Sequence, residues 1–233
     1  DTNLIPPYAD FGLDQSGWYY SSENYFHLEG RSQLLVDNLM DLTHLPYIHQ
    51  QLGEGGDQLK KSQMVTEQRD ESYRILRRGK MPWNPFFAKV FGEQAKYQGL
   101  ADFVHLSDFY GPELIKTSIP AITKLEGRDD IPKELGQMLI LHGITPETET
   151  TTHYFGFSTR NFRQSDTSLD RFQLESELRV RQQDVDAINA VEKRLEVAAH
   201  LQKELLALAD VPAVQARRKI EAMLVKEQPT ADT

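Results

Sequence analysis

The stretch from Gln33 to Gln50, QLLVDNLMDLTHLPYIHQ, sets two histidines, His44 and His49, and a carboxylate, Asp41, among leucines. Two histidines and one carboxylate form the facial triad that holds non-haem Fe(II) and leaves coordination positions open. Leu34, Leu35, Leu39, Leu42 and Leu45 recur at mostly helical spacing, which predicts a buried amphipathic helix. Polar side chains in such a segment need partners, because unsatisfied ones are costly to bury. Asp41 and His44 are three apart and share a helix face. His44 and His49 are five apart and splay on a straight helix. Pro46 lies between them. It lacks an N–H and clashes with the preceding turn, so it is expected to break the helix and turn His49 back towards His44. Spacing alone leaves two readings open, half of a metal site or a core helix with two hydrogen-bonded histidines.

A triad needs a carboxylate, and the segment SLDRFQLESELRVRQQDVDAINAVEKRLE offers Asp184 and Asp186. Ile188, Val191 and Leu195 follow Asp184 at same-face helical spacing, which puts Asp184 on the apolar, inward face. Asp186 aligns with Ala190 and Lys193, a more exposed line.

The elements that must position these groups follow from pattern. Residues 1–17 are rich in Pro, Gly and Asp and read as an extended linker. Trp18 to Leu28 is aromatic and β-prone, and Gly30 separates it from the histidine-bearing helix. Gln51 to Asp57 is a Gly-rich loop, either a lid or a plain surface loop. Residues 61–69 and 72–78 predict two strands of a meander. Residues 81–100 open with Pro and aromatics and become briefly helical, capping a pocket or packing the core. Residues 101–109 and 114–124 predict strands joined at Gly111-Pro112, and 126–132 a charged turn. Two further strands, 135–144 and 150–157, precede a long helical run from Asp166 to Ala209, with Ser165, Asp166 and Thr167 as N-cap candidates. A second amphipathic helix, 213–226, leads to a tail expected to be disordered. Strands with helices gathered around them give an α+β class.

The 233 residues suffice for one large domain or two small ones. A net charge of −9 argues against nucleic acid as a partner. No apolar run reaches membrane-span length and no signal-peptide pattern opens the chain, so a cytoplasmic location is expected. There is no cysteine, which excludes disulfides and thiolate metal sites.

DNLMDLTHLPYIH closely resembles the iron-binding motif D-N-L-M-D-L-x-H-x-x-Y-V-H of Rieske non-haem iron oxygenase large subunits, of the vanillate O-demethylase and dicamba monooxygenase type. The resemblance implies a helix-grip fold, in which a curved antiparallel sheet grips a long helix around a deep pocket. It implies Fe(II) held by His44, His49 and Asp184, since Ser158-Thr159-Arg160-Asn161-Phe162 matches the family's S-R-N-F and Gln183-Asp184-Val185 falls where relatives carry E-D-K-V-V-V-E. The flanking Glu and Lys are absent here, and Asp186 is the alternative ligand. Asp41 then orients His44 and bridges to the Rieske domain of a neighbouring subunit in a trimeric ring. His142, in LHGITPETE, matches a substrate-contacting histidine in T-H-I-L-T-P-E-T-E, and Asn38 is expected to line the iron site. A Rieske cluster needs two Cys and two His. This cysteine-free chain cannot hold it, so residues 18–226 are expected to be a catalytic domain, with the 2Fe-2S cluster on a preceding domain. Electrons would come from NAD(P)H through a reductase or ferredoxin, and the substrate would be an aromatic compound hydroxylated or O-demethylated with O2. The competing reading is a helix-grip ligand-binding module without redox chemistry.

Overall fold

A computed structural model describes residues 5–49, 58, 61–69, 72–92, 97–128, 135–197 and 204–227. The strands are β1 (Tyr19–Leu28), β2 (Gln63–Gln68), β3 (Tyr73–Pro82), β4 (Leu100–Gly111), β5 (Leu114–Ser118), β6 (Ala121–Leu125), β7 (Met138–Pro146) and β8 (Thr152–Arg160). The helices are α1 (Ser32–Met40), α2 (Leu45–Ile48), α3 (Pro85–Phe91), α4 (Thr167–Val197) and α5 (Val211–Glu227). The strands form one antiparallel sheet in the order β1-β8-β7-β5-β4-β3-β2, with β6 paired to β4 beside β5. The architecture is the α+β helix-grip arrangement, with the long helix α4 held against the sheet.

Alternation gives the sheet an inner and an outer face. In β8, Thr152, Tyr154, Gly156 and Ser158 are buried, while His153, Phe155 and Phe157 alternate outward. The inner face receives α4 through polar groups as well as apolar ones. Its buried stripe reads Leu169, Gln173, Glu177, Arg181, Asp184, Ile188 and Glu192, a spacing of three or four residues. Glu177 accepts hydrogen bonds from Ser22 of β1 and Ser158 of β8 at 2.9 and 2.7 Å. Arg160, fully buried at the end of β8, donates to Gln173 and Asp170. The Arg of the S-R-N-F-like motif therefore fixes the start of the helix that carries Asp184. Asp166 caps that helix, accepting from the Ser168 and Leu169 N–H groups at 3.0 Å each.

Five details differ from the sequence reading. The strand expected over 114–124 is two, β5 and β6, because Pro120 has no N–H for the ladder. Of the run expected to be helical from Asp166 to Ala209, Thr167–Val197 is α-helix and 204–207 are not helical, so helical period in the sequence outlasts the helix itself. Val191 is 46% exposed although it shares spacing with Asp184, because the inward line passes through Ile188 and Glu192 instead. Residues 8–11 are a 3-10 turn rather than extended chain, held by burial of Phe11 against Tyr110, Leu139 and Leu141 on the outer face. The histidine-bearing helix breaks before Pro46, as detailed below. The Gly-rich loop 51–57, part of the turn 126–132 and the tail from 228 lie outside the described residues.

The turn that launches α1 is fixed from two sides. Thr152 Oγ1 donates to the Gly30 carbonyl at 2.8 Å, and Glu192 accepts the Arg31 N–H at 3.0 Å. Thr152→Val keeps the shape but leaves a fully buried carbonyl without this donor. A loss of about 1–2 kcal/mol is expected in urea unfolding with unchanged m, and wild-type stability would contradict the assignment.

Candidate metal centre

α1 stops at Asp41, whose backbone leaves the helical region (φ −113°, ψ 114°). The Asp41 carboxylate accepts the Thr43 N–H at 2.8 Å and the Thr43 hydroxyl at 2.7 Å. A short acidic side chain that satisfies the next turn's backbone competes with helix continuation. A 3-10 turn, Leu42–His44, and the four-residue α2 follow. Pro46 falls in the first turn of α2, where its missing N–H does no harm. The break that brings His49 round to His44 is thus made by Asp41 rather than by Pro46.

This geometry also changes how His44 is oriented. His44 Nδ1 lies 2.5 Å from the Asp41 backbone carbonyl, not its carboxylate. A carbonyl only accepts, so Nδ1 carries the proton and Nε2 keeps its lone pair. His49 Nδ1 lies 2.9 Å from Gln183 Oε1, which selects the same tautomer. Sequence reasoning assigned Gln183 no role. Its only signal was its place beside Asp184, on a helix rich in polar residues.

Ligand-competent atoms of His44, His49 and Asp184 all lie within 4.8 Å of one another, the one such group of three among the described residues. Asp184 Oδ1 is 3.6 Å from His44 Nε2 and 3.0 Å from His49 Nε2. Apart from each other, His49 Nε2 and Asp184 Oδ1 are buried without a hydrogen-bond partner among the described residues. Two imidazole lone pairs and a carboxylate oxygen facing one another are all acceptors, a set that a cation satisfies. The donor set fits a divalent transition metal. Asp186 instead faces solvent and accepts from Gln182 at 2.8 Å. Burial lowers the proton affinity of His44, with Asp184 opposing. Burial also acts on His49, but Asp184 and Gln183 outweigh it and raise its pKa.

All three groups line a cavity of about 170 Å³. Its walls are mostly apolar, with Leu39, Phe86, Phe87, Val90 and Ile119 among them, so α3 both lines the cavity and packs the core. A dry apolar cavity of about 150 Å³ holds one benzene ring. His142 also lines this cavity, but Thr117 Oγ1 is 2.9 Å from its Nε2 and Tyr154 OH is 2.6 Å from its Nδ1. Asn38 lines it too, and its Nδ2 has no hydrogen-bond partner among the described residues. On the far side of Asn38 and His44 an outer groove is lined by Asp37, Asp41, Asp210 and Arg217.

Residues 28–226 match the family model of the vanillate O-demethylase oxygenase C-terminal domain. The chain belongs to this family. It is 28% identical to the vanillate O-demethylase oxygenase subunit of Pseudomonas sp. (strain HR199 / DSM 7063), over 94% of this chain and 62% of that protein. It is 30% identical to a putative toluene-4-sulfonate monooxygenase system iron-sulfur subunit of Comamonas testosteroni, over 64% of this chain and 43% of that one. The crystal structure of dicamba monooxygenase bound to 3,6 dichlorosalicylic acid superposes with a TM-score of 0.81 at 24% identity, over 98% of this chain and 65% of that chain. The family members it matches are longer, and this chain spans less than two thirds of each of these three.

Gln183→Leu removes the group that fixes the His49 tautomer. Affinity for a divalent metal, measured by competition with a chromogenic chelator, is expected to fall about 10–100-fold without loss of fold. Unchanged affinity would remove Gln183 from the site.

Proposed function

We propose that this chain is the catalytic domain of a Rieske-type aromatic oxygenase, with Fe(II) held by His44, His49 and Asp184. The carrying observation is the set of three converging acceptors on the wall of a cavity sized for one aromatic ring. Relatives support it, since their names include an O-demethylase oxygenase and a monooxygenase iron-sulfur subunit, and one dicamba monooxygenase structure holds non-heme iron. A helix-grip carrier, the competing reading, has no use for three metal-competent atoms converging on one point of its cavity.

When bound, the iron supplies the site where O2 is reduced and the substrate oxidised, with electrons from a Rieske 2Fe-2S cluster. The chain's own residues do the rest. The Asp41 carbonyl and Gln183 hold the Nδ1 protons of His44 and His49, so that both Nε2 atoms face Asp184. The apolar walls exclude water and pack the ring. Asn38 offers its unpartnered amide to the substrate beside the iron. Hydroxylation of a ring gives a phenol or diol, and hydroxylation of a methoxy carbon gives a hemiacetal that collapses to a phenol and formaldehyde.

The outer groove is the entry for electrons in this reading. It carries Asp41 and His44 on its wall, so a Rieske domain of a neighbouring subunit seated there would reach His44 through Asp41. A closed head-to-tail trimer supplies that neighbour, and a reductase or ferredoxin passes electrons from NAD(P)H. Among the described residues no helix is long and apolar enough to cross a membrane, and the proposed site of action is the cytoplasm.

Asp184→Asn is expected to lose iron after anaerobic Fe(II) loading, whereas Asp186→Asn retains it, and the reverse would reassign the ligand. Asp41→Asn keeps an acceptor for the Thr43 N–H, so iron should stay bound, while electron transfer from a pre-reduced Rieske partner in single turnover should collapse. Transfer near the wild-type rate would leave Asp41 a capping residue only. Supplied with O2, electrons and a methoxybenzoate, the iron-loaded protein is expected to release formaldehyde or a ring-hydroxylated product, and absence of both would reject the oxygenase reading.

A further inference from the structure

Among the described residues, the proposed substrate cavity contains one lysine or arginine, Arg181. It sits on the inward face of α4, one turn before Asp184, and is 2% exposed. Its guanidinium lies against the backbone of Gly156, where a Cβ would come within 2.1 Å of Nη1. The Tyr154 ring centroid is 5.0 Å from Cζ. The sheet thus gives up a side chain to make room for this group.

Arg181 is poorly matched by its neighbours. Its Nη2 has no hydrogen-bond partner among the described residues. Glu177 Oε2 is 3.9 Å away, an ion pair without a hydrogen bond. That carboxylate already accepts from Ser22 and Asn24 at Oε2 and from Ser158 and Gln173 at Oε1, all neutral donors. Nη1 reaches His142 Nδ1 at 3.4 Å, and the guanidinium also hydrogen-bonds the Tyr154 side chain, again a neutral partner. Arginine can only donate, so Nδ1 of His142 holds a lone pair, Tyr154 OH donates to it, and the Nε2 proton goes to Thr117 Oγ1. Both nitrogens of His142 are therefore engaged, and it presents no free N–H to a ligand.

Charge points the same way. Among the described residues, the cavity-lining groups that carry charge are Glu177, Arg181 and Asp184. With a divalent ion bound, three positive charges face two negative ones in a largely apolar enclosure. A monoanion neutralises the excess, and uncompensated charge in such surroundings is costly.

We propose that Arg181, rather than His142, is the residue that reads substrate charge, holding an anionic substituent (a carboxylate or sulfonate) of the aromatic ring. The inference rests on the iron-site reading above. Arg181 and Asp184 lie about 4.5 Å apart along the helix axis, so one substituted ring can meet the guanidinium at one end and the iron at the other.

Calorimetric binding of 4-methoxybenzoate and its neutral amide, 4-methoxybenzamide, to the Fe(II)-loaded protein under anaerobic conditions tests this without turnover. Wild type is expected to prefer the acid about 10–100-fold, the range of a hydrogen bond to a charged group. Arg181→Met should abolish the preference. Arg181→Lys, which keeps the charge in the same place, should retain part of it, and Gly156→Ala, which displaces the guanidinium, should reduce it. If Arg181→Met does not fold, the Lys and Gly156 variants decide by the same measure. Equal binding of acid and amide by wild type overturns the proposal. So does an acid preference that survives Arg181→Met, or survives undiminished in both the Lys and Gly156 variants, or vanishes only in His142→Gln. Iron content of the same samples separates the two levels. Iron-loaded wild type with no acid preference rejects Arg181 alone, and wild type that takes up no iron rejects the metal centre and this inference together.

Discussion

Two imidazole nitrogens and a carboxylate oxygen held face to face, which need a metal ion or an added proton between them, are the constraint on which the rest of this structure depends. His44 Nε2, His49 Nε2 and Asp184 Oδ1 converge because the opposite nitrogen of each imidazole is tied elsewhere, one to a backbone carbonyl and one to Gln183. Left without a positive charge such a cluster is unstable, since lone pairs and a carboxylate neither bond nor hydrate one another when buried. The surrounding fold holds them in place. α4 is anchored at its start by Arg160 and the Asp166 cap, and α1 is tied to its far end by the Arg31–Glu192 pair.

That anchoring explains why the inward face of α4 is so polar. A helix held only by apolar packing can slide or rotate by small amounts at little cost. Gln173, Glu177 and Glu192 each meet a specific partner on the sheet or on the turn before α1. Such networks fix rotation and register together, and one fully satisfied is worth more than its separate bonds. The same helix therefore carries Asp184 to the histidines and sets Arg181 on the cavity wall and Gln183 against His49.

Much of this was legible in the sequence, and the limits have physical reasons. The two histidines and the leucine period around them announced a largely buried segment with metal-competent side chains, and the face of the long helix together with the S-R-N-F match pointed to Asp184 as their neighbour. The alternating strands and the long helix gave the fold class. The break at Asp41 was missed because a capping aspartate and a helical one look alike until the backbone of Thr43 is placed, whereas proline announces itself. The role of Gln183 and the buried state of Glu177 and Arg181 were missed for a related reason. Their partners lie far away in sequence, His49 after α2 for Gln183 and residues of β1, β7 and β8 for the other two, and a polar residue with a distant partner reads locally as a solvated one. Even the apolar spacing misled at Val191, which is exposed where the polar Glu192 is buried.

The account stands or falls on whether that cluster takes a cation. The most direct measurement is anaerobic titration of the metal-free protein with Fe(II), following stoichiometry and melting temperature together. One equivalent of iron per chain should bind, with melting temperature rising as the metal exceeds its dissociation constant, because ligand binding to the folded state alone stabilises it. Binding of less than about a tenth of an equivalent, with melting unchanged at metal concentrations about a hundred times those used for ordinary divalent sites, would show that the three acceptors are reconciled by protons alone and would contradict the account.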